Sequence, residues 1–478
     1  MFNRKLIKGI LASVASLILC SCNKELSAPP RNEVVDINAV TSQSKAQIVL
    51  NGAYFRLANA NSSNFTNWSF HEVTGSVFTG YLGYGFGVMQ DESNSNQAST
   101  FSQGIWDDCY KLVEATNGTI SGITALADNA FTGNRKNEML GEARFLRAYT
   151  NYRLLSYFAQ WYDISSKYGI LIRDAPSTLS NIVKARSDVR SSYDFIITDC
   201  DFAIANAPSS NPNYYATKWA AMALKMRVLM SRGQQGDYAQ VITLAENIKQ
   251  SNIYALENNL KDIFYTKGLA SSEVILGIKP NTGQETFYYN LSYQYYPGGS
   301  GLWVAKQALK DLLQNDPRGS WMVGPASRYN AYSPNTYYFT KYIAYATVPT
   351  QVSETAYAFR LSEVYLLEAE ATIRSGGSLS TAKALIKTVM AKAGVTDFSA
   401  VDNASTADAL LLQNYDEISR NLVGEDGADW MAMLRFPLAT VTQLKPTITS
   451  TAQYILPIPS SEYQSNPTIG PQNPGYSY

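Results

Sequence analysis

The chain has 478 residues, of which 45% are hydrophobic and only 16% charged, enough to bury a large single fold or two to three domains. Lysine plus arginine balance aspartate plus glutamate at 39 each, which argues against a nucleic-acid partner, since binding phosphates takes a basic excess. One histidine, His71, and four cysteines at Cys20, Cys22, Cys109 and Cys200 form neither a disulfide framework nor a zinc site by their spacing, so no cofactor and no metal is implied.

The chain opens with a basic cluster, Arg4, Lys5 and Lys8, followed by an apolar or small run from Gly9 to Leu19. That run falls short of the roughly 20 residues a spanning helix needs, and it has the length and flank of a secretory signal. A bacterial lipoprotein signal carries a leucine three residues before the acylated cysteine and a small residue just before it. Cys22, preceded by Leu19 and Ser21, fits; Cys20, preceded by Leu17 and Leu19, fits less well. Residues 1–22 therefore read as a lipoprotein signal that includes the lipidated Cys22, and the polar, proline-bearing residues 23–40 as an extended tether. The expected body is residues 41–478, divided into 41–260 and 261–478. No second apolar run in it reaches spanning length.

Helical periodicity dominates that body. "SQSKAQIVLNGAYFRLANA" places Ile48, Tyr54 and Leu57 at helical spacing, and "GEARFLRAYTNYRLLSYFAQW" aligns Phe145, Ala148, Tyr149 and Tyr152 on one face. "SSYDFIITDCDFAIANAP" continues the series and stops at Asn206 to Pro208, and "FRLSEVYLLEAEATI" aligns Leu361, Val364, Leu367 and Ala371. Two helix–turn–helix units stand out. One joins "ATKWAAMALKMRVLMSR" to "YAQVITLAENIKQ" through "GQQGD"; the other joins "YAFRLSEVYLLEAEATIR" to "TAKALIKTVMAKAG" through "SGGSLS". Both match the tetratricopeptide pattern loosely, and equally an ordinary pair of antiparallel helices. Residues 61–104 and 281–350 read as long irregular stretches rich in Gly, Ser, Asn and aromatic residues, and loops of that length tend to be functional.

Catalytic patterns are weak. "GYLGYGFG" has neither phosphate-loop spacing nor an apolar strand before it, and His71, read as a loop residue, has no nucleophile motif pointing to it. Asp107 and Asp108 diverge by about 100° on a helix. Glu363 and Glu370 share a helix face about 10 Å apart, long for either glycosidase geometry, and Arg360 three residues before Glu363 predicts an ordinary helix ion pair. What remains is aromatic. Trp68, Tyr81, Tyr84 and Phe86 fall in the first long stretch, and Tyr288, Tyr289, Tyr293, Tyr295, Tyr296 and Trp303 in the second. Flat rings can stack on sugars or simply pack the loops onto the helices.

Several segments together resemble the SusD/RagB family of outer-membrane nutrient-binding lipoproteins. These are "GEARFLRAYTNYRLLSYFAQW", then "NDPR" at 315–318, then "FRLSEVYLLEAEA", and lastly "YILPIPSSEYQSNPTIGPQNPGY", the most specific of them. One departure is visible in "GEDGADWMAMLRF", where Asp426 intervenes between Glu425 and Gly427 and Asp429 stands near the family's usual arginine. The resemblance implies a mostly α fold, with tetratricopeptide-like helix pairs on one side and irregular loops carrying the ligand site on the other. It implies a non-enzymatic function, capture of oligosaccharides and their delivery to a TonB-dependent, SusC-like transporter in the outer membrane. A peptide ligand is the alternative, and a surface glycosidase a more remote one. The rings expected to form the platform are Trp68, Tyr84, Tyr296 and Trp303.

Overall fold

A computed structural model describes residues 40–59, 68–87, 100–280, 292–295, 300–342 and 350–477. Cys22, the tether up to residue 39, and Tyr288, Tyr289 and Tyr296 lie outside the described residues. Val40, the last residue assigned to the tether, is already buried and packs over Gly122.

In chain order the first part contains α1 (Gln43–Asn59), α2 (Trp68–Thr79), β1 (Leu82–Tyr84), α3 (Thr100–Ala125), α4 (Arg135–Phe158), α5 (Val189–Asn206), α6 (Lys218–Arg232) and α7 (Asp237–Gln250). The second part contains β2 (Val274–Ile278), β3 (Trp303–Lys306), α8 (Gln307–Leu312), α9 (Gly319–Met322), β4 (Val323–Ala326), β5 (Thr336–Phe339) and β6 (Ala356–Arg360). It continues through α10 (Leu361–Arg374), α11 (Leu379–Lys392), α12 (Ser399–Asn403), α13 (Ala407–Leu422), α14 (Ala428–Leu434), α15 (Leu438–Leu444) and α16 (Ser460–Ser465).

Each expected helix forms, and the caps explain the boundaries. The Asp188, Thr217 and Ser378 side chains accept backbone N–H groups at the starts of α5, α6 and α11. Gly233 closes α6 in a left-handed conformation that a residue with a Cβ resists. The two helix–turn–helix units are α6–α7 and α10–α11, and α10 also packs on α7, so the units stack. The face of α4 formed by Phe145, Ala148, Tyr149 and Tyr152 is buried. So is most of the opposite face, because α4 lies between α3 and α5 and buries Glu142, Arg147, Asn151 and Arg153 as well. Arg147 is held by both carboxylate oxygens of Asp199 on α5, at 2.7 and 2.9 Å. On α1 the expected stripe is only partly right: Tyr54 and Leu57 are buried, but Ile48 is 58% exposed.

The two stretches read as irregular carry more structure than their sequence suggests. The first holds α2 and β1, and the second holds β3, β4 and β5. These strands form an antiparallel sheet in the order β1-β3-β5-β4, with Tyr84 opposite Trp303 and Val304 opposite Tyr338. A second sheet pairs β2 with β6, and β6 runs directly into α10 at Arg360. Strands of three or four residues offer too few positions to show an alternating pattern. His71 accordingly sits on α2, buried and stacked on Trp68 at 4.9 Å, and is not a loop residue.

Candidate functional site

β1 and β3 bring together two of the four rings expected to form a platform. Tyr84 meets Trp303 edge to face at 5.9 Å, and Phe86 lies 5.4 Å from Tyr84 and 4.1 Å from Tyr329. Glycine spacing makes this approach possible. A Cβ at Gly85 would stand 2.5 Å from the Gly301 carbonyl oxygen and 2.8 Å from the Tyr329 ring, so no other residue fits between Tyr84 and Phe86. "GYLGYGFG" is thus a strand edge that seats rings against a neighbouring strand. Tyr329 is fixed by its hydroxyl, which donates to the Ser300 carbonyl at 2.6 Å, and Arg328 donates to the same oxygen at 2.7 Å. Phe86 is 49% exposed and Tyr332 nearby in sequence is 76% exposed, while Tyr84 and Tyr329 are half-buried. Half-exposed rings backed by a sheet, with an arginine alongside, offer flat apolar faces with a hydrogen-bond donor at their edge.

The other expected rings fare differently. Trp303 is 3% exposed and donates its indole N–H to Gln294, so it backs the patch and presents no face to solvent. Trp68 is 1% exposed and stacks on His71 and Tyr149, so it belongs to the core. Tyr295 is likewise buried, stacked on Tyr342 at 5.8 Å. The sequence does not distinguish these tryptophans from exposed ones, because their burial comes from segments far away in the chain. Tyr329 and Tyr332 were missed: they sit in a loop between β4 and β5, just ahead of the aromatic run Tyr337, Tyr338 and Phe339 on β5.

The two carboxylates with helical spacing, Glu363 and Glu370, are held in buried ion pairs. Arg360 does not pair with Glu363. It reaches Glu425 and Glu273 instead, while both oxygens of Glu363 bind Arg227 at 2.5 and 2.7 Å. Position i−3 to Glu363 counts for nothing here because Arg360 is the N-cap residue, still extended, and its guanidinium is taken up by Glu425, Glu273 and Ser362. Glu370 is clamped by Arg435 and Arg374. Burial raises its carboxyl, and the two guanidinium groups more than offset this, holding it down at about 2. Arg318 of "NDPR" is fully buried between Asp316 and Glu417. Cys109 and Cys200 are free and buried, and burial pushes the Cys109 thiol up to about 12.

Comparison with known proteins bears directly on this architecture. A family profile described as "Starch-binding associating with outer membrane" matches residues 26–230, and one described as "SusD family" matches residues 278–447. The chain belongs to the SusD/RagB family. A SusD-like protein of Bacteroides ovatus is 22% identical over 319 residues, 59% of this chain and 57% of that relative, so the match spans little more than half of the relative's length. The crystal structure of a SusD superfamily protein from Bacteroides thetaiotaomicron has the same fold, with a TM-score of 0.72 at 22% identity, covering 91% of this chain and 100% of that one. A laminarin-binding SusD-like protein superposes with a TM-score of 0.71 at 21% identity, covering 91% of this chain and 99% of that one.

SusD/RagB membership explains why the signature segments are structural. The residues that carry it, Arg147, Arg318, Arg360 and Asn473, are buried, and each holds two or more distant segments together. The rings of the sheet patch lie outside the signatures, where members of one fold can differ. Among the described residues no helix is long and apolar enough to cross a membrane.

Proposed function

We propose that this protein is a cell-surface lipoprotein that captures oligosaccharides and delivers them to a SusC-like, TonB-dependent transporter in the outer membrane. Cys22 is its acylated anchor, and the stacked α6–α7 and α10–α11 units, read as tetratricopeptide-like pairs, are the surface offered to the transporter. Tyr84, Phe86 and Tyr329 form the stacking platform, with Trp303 as their backing, and Tyr296 remains a proposed contributor. The observation that carries the reading is the ring cluster at the β1–β3 edge, where exposed aromatic faces are seated by glycines on a rigid sheet. Family membership and the fold shared with a laminarin-binding protein support it. The reading is of a binding protein and not a glycosidase, because Glu363 and Glu370, the carboxylates with the best helical spacing, are each neutralised by arginines. Affinity electrophoresis through gels containing single polysaccharides, laminarin first, tests it. Retarded migration in at least one gel is expected, and migration unchanged across a broad neutral-glycan panel contradicts the reading.

A further inference from the structure

A cavity also lies away from the sheet patch. It is a cleft of about 490 Å³ between α1, α3, residues 171–182 and α16, and it shares no lining residue with the patch. The half-buried Tyr110 ring lines it, and Trp106, one turn earlier on α3 and only 4% exposed, backs that ring at a centroid distance of 4.7 Å. Both rings are locked, the indole N–H donating to Glu462 at 3.2 Å and the Tyr110 hydroxyl to the Leu171 carbonyl at 3.1 Å.

Three cations and three carboxylates line the cleft, and they differ in how far they are already used. Both oxygens of Glu114 accept from Ser177, and Glu462 accepts from Trp106 and Asn466. Asp107 accepts from Gln103 at 2.8 Å. The guanidinium of Arg173 is held by two carbonyl oxygens, of Asn181 and Ile182, which position it without neutralising it. Arg56 and Lys111 form no ion pair among the described residues, although both lie close enough to Asp108 to favour its charged form. Each carboxylate is thus engaged by a neutral donor of the fold, and Arg56 and Lys111 keep donor capacity beside the Tyr110 ring. Guanidinium and ammonium groups so placed bind a carboxylate through charge-assisted hydrogen bonds, bidentate at an arginine.

We propose that this cleft is a second binding site, for a ligand that joins a carboxylate to a compact body able to lie against Tyr110. Two sources share that chemistry, an acidic sugar and the free C-terminus of a short peptide. The site does not depend on the sheet patch, since stacking of a neutral glycan requires no cation.

Titration calorimetry on the full mature chain tests it with two matched pairs: digalacturonate against its methyl ester, and an N-acetylated dipeptide with a free against an amidated C-terminus. The acid of one pair is expected to bind roughly tenfold tighter than its neutral partner. That preference should weaken with added salt. It should vanish in the Arg56→Gln, Lys111→Gln double variant, whose partly exposed positions spare the core, and persist in Phe86→Ala. Preference in the uronate pair assigns a sugar acid, and preference in the dipeptide pair assigns a peptide end. Equal binding or no binding in both pairs overturns the proposal, as does a preference that survives the double variant. Neither result touches the neutral-glycan reading of the patch.

Discussion

Asp426 shows how much one residue can hold. It takes a left-handed backbone at φ 50°, next to Gly427 at φ 72°. Its carboxylate accepts from the Tyr149 hydroxyl at 2.8 Å, pairs with Arg227 at 2.5 Å, and pairs with Arg153. Removing it in Asp426→Ala leaves two buried guanidinium groups short of a counter-charge, and should cost about 3–5 kcal/mol in urea-unfolding free energy. The turn also needs Gly427: its Cβ would stand 2.7 Å from the Tyr157 hydroxyl, and a Cβ at Gly75 on α2 would stand 2.4 Å from the Gly427 Cα. The sequence shows Asp426 only as a departure from the family pattern. Its role is not legible there, because its partners stand 199 and 273 residues away. Asp429 gives a pH-dependent prediction. Burial raises its carboxyl to about 6, although Ser76 and Thr79 donate to it. An acid raised above its unfolded value of about 3.9 binds more protons when folded, so its contribution to stability falls as pH rises from about 4 to about 6. The difference between wild type and Asp429→Asn, followed by urea midpoints, should become less favourable to the wild type across that window, and a flat difference would refute the assignment.

The C-terminal segment shows what the most specific sequence signature does as an element. Gln472 brackets Ile458, accepting from its N–H and donating to its carbonyl, both at 2.9 Å. Asn473 donates to the Phe158 and Leu456 carbonyls at 2.9 and 2.8 Å, and its own oxygen accepts from Arg186. Asn466 makes a matching two-way contact with the backbone of Lys184. Side-chain amides here replace a strand partner, tying an irregular segment to the end of α4. Asn473→Ala strands the buried Leu456 carbonyl and takes from Arg186 its side-chain acceptor, and should lower stability by about 2–3 kcal/mol by chemical denaturation while leaving glycan affinity unchanged. At this scale the helices were legible, since ten or more residues of periodic apolar spacing override local noise and Gly233 and Ser378 mark the turns. The four-stranded sheet was not. Its strands are short, and its order β1-β3-β5-β4 depends on pairing residues more than 200 positions apart, such as Tyr84 with Trp303.

Across the whole molecule, one hydrophobic core runs from Val40 to Ile469, threaded by arginine–carboxylate clamps that join distant segments. This division of labour accounts for what sequence reading achieved. The segments that resemble the family are the ones that carry these buried clamps, so the family was legible from them. A platform ring, by contrast, is defined by what does not cover it. Tyr84 and Trp303 do meet, yet only the fold shows that Trp303 and Trp68 are covered and that Phe86 and Tyr329 lie beside Tyr84. The most direct test of the central claim is titration calorimetry of a polysaccharide-derived oligosaccharide that binds the wild type, repeated with the Phe86→Ala, Tyr329→Ala double variant. With roughly 1 kcal/mol lost per stacked ring, affinity should fall at least about tenfold while the unfolding midpoint stays close to that of the wild type. An unchanged affinity in a folded double variant would contradict the claim that these rings are the binding platform.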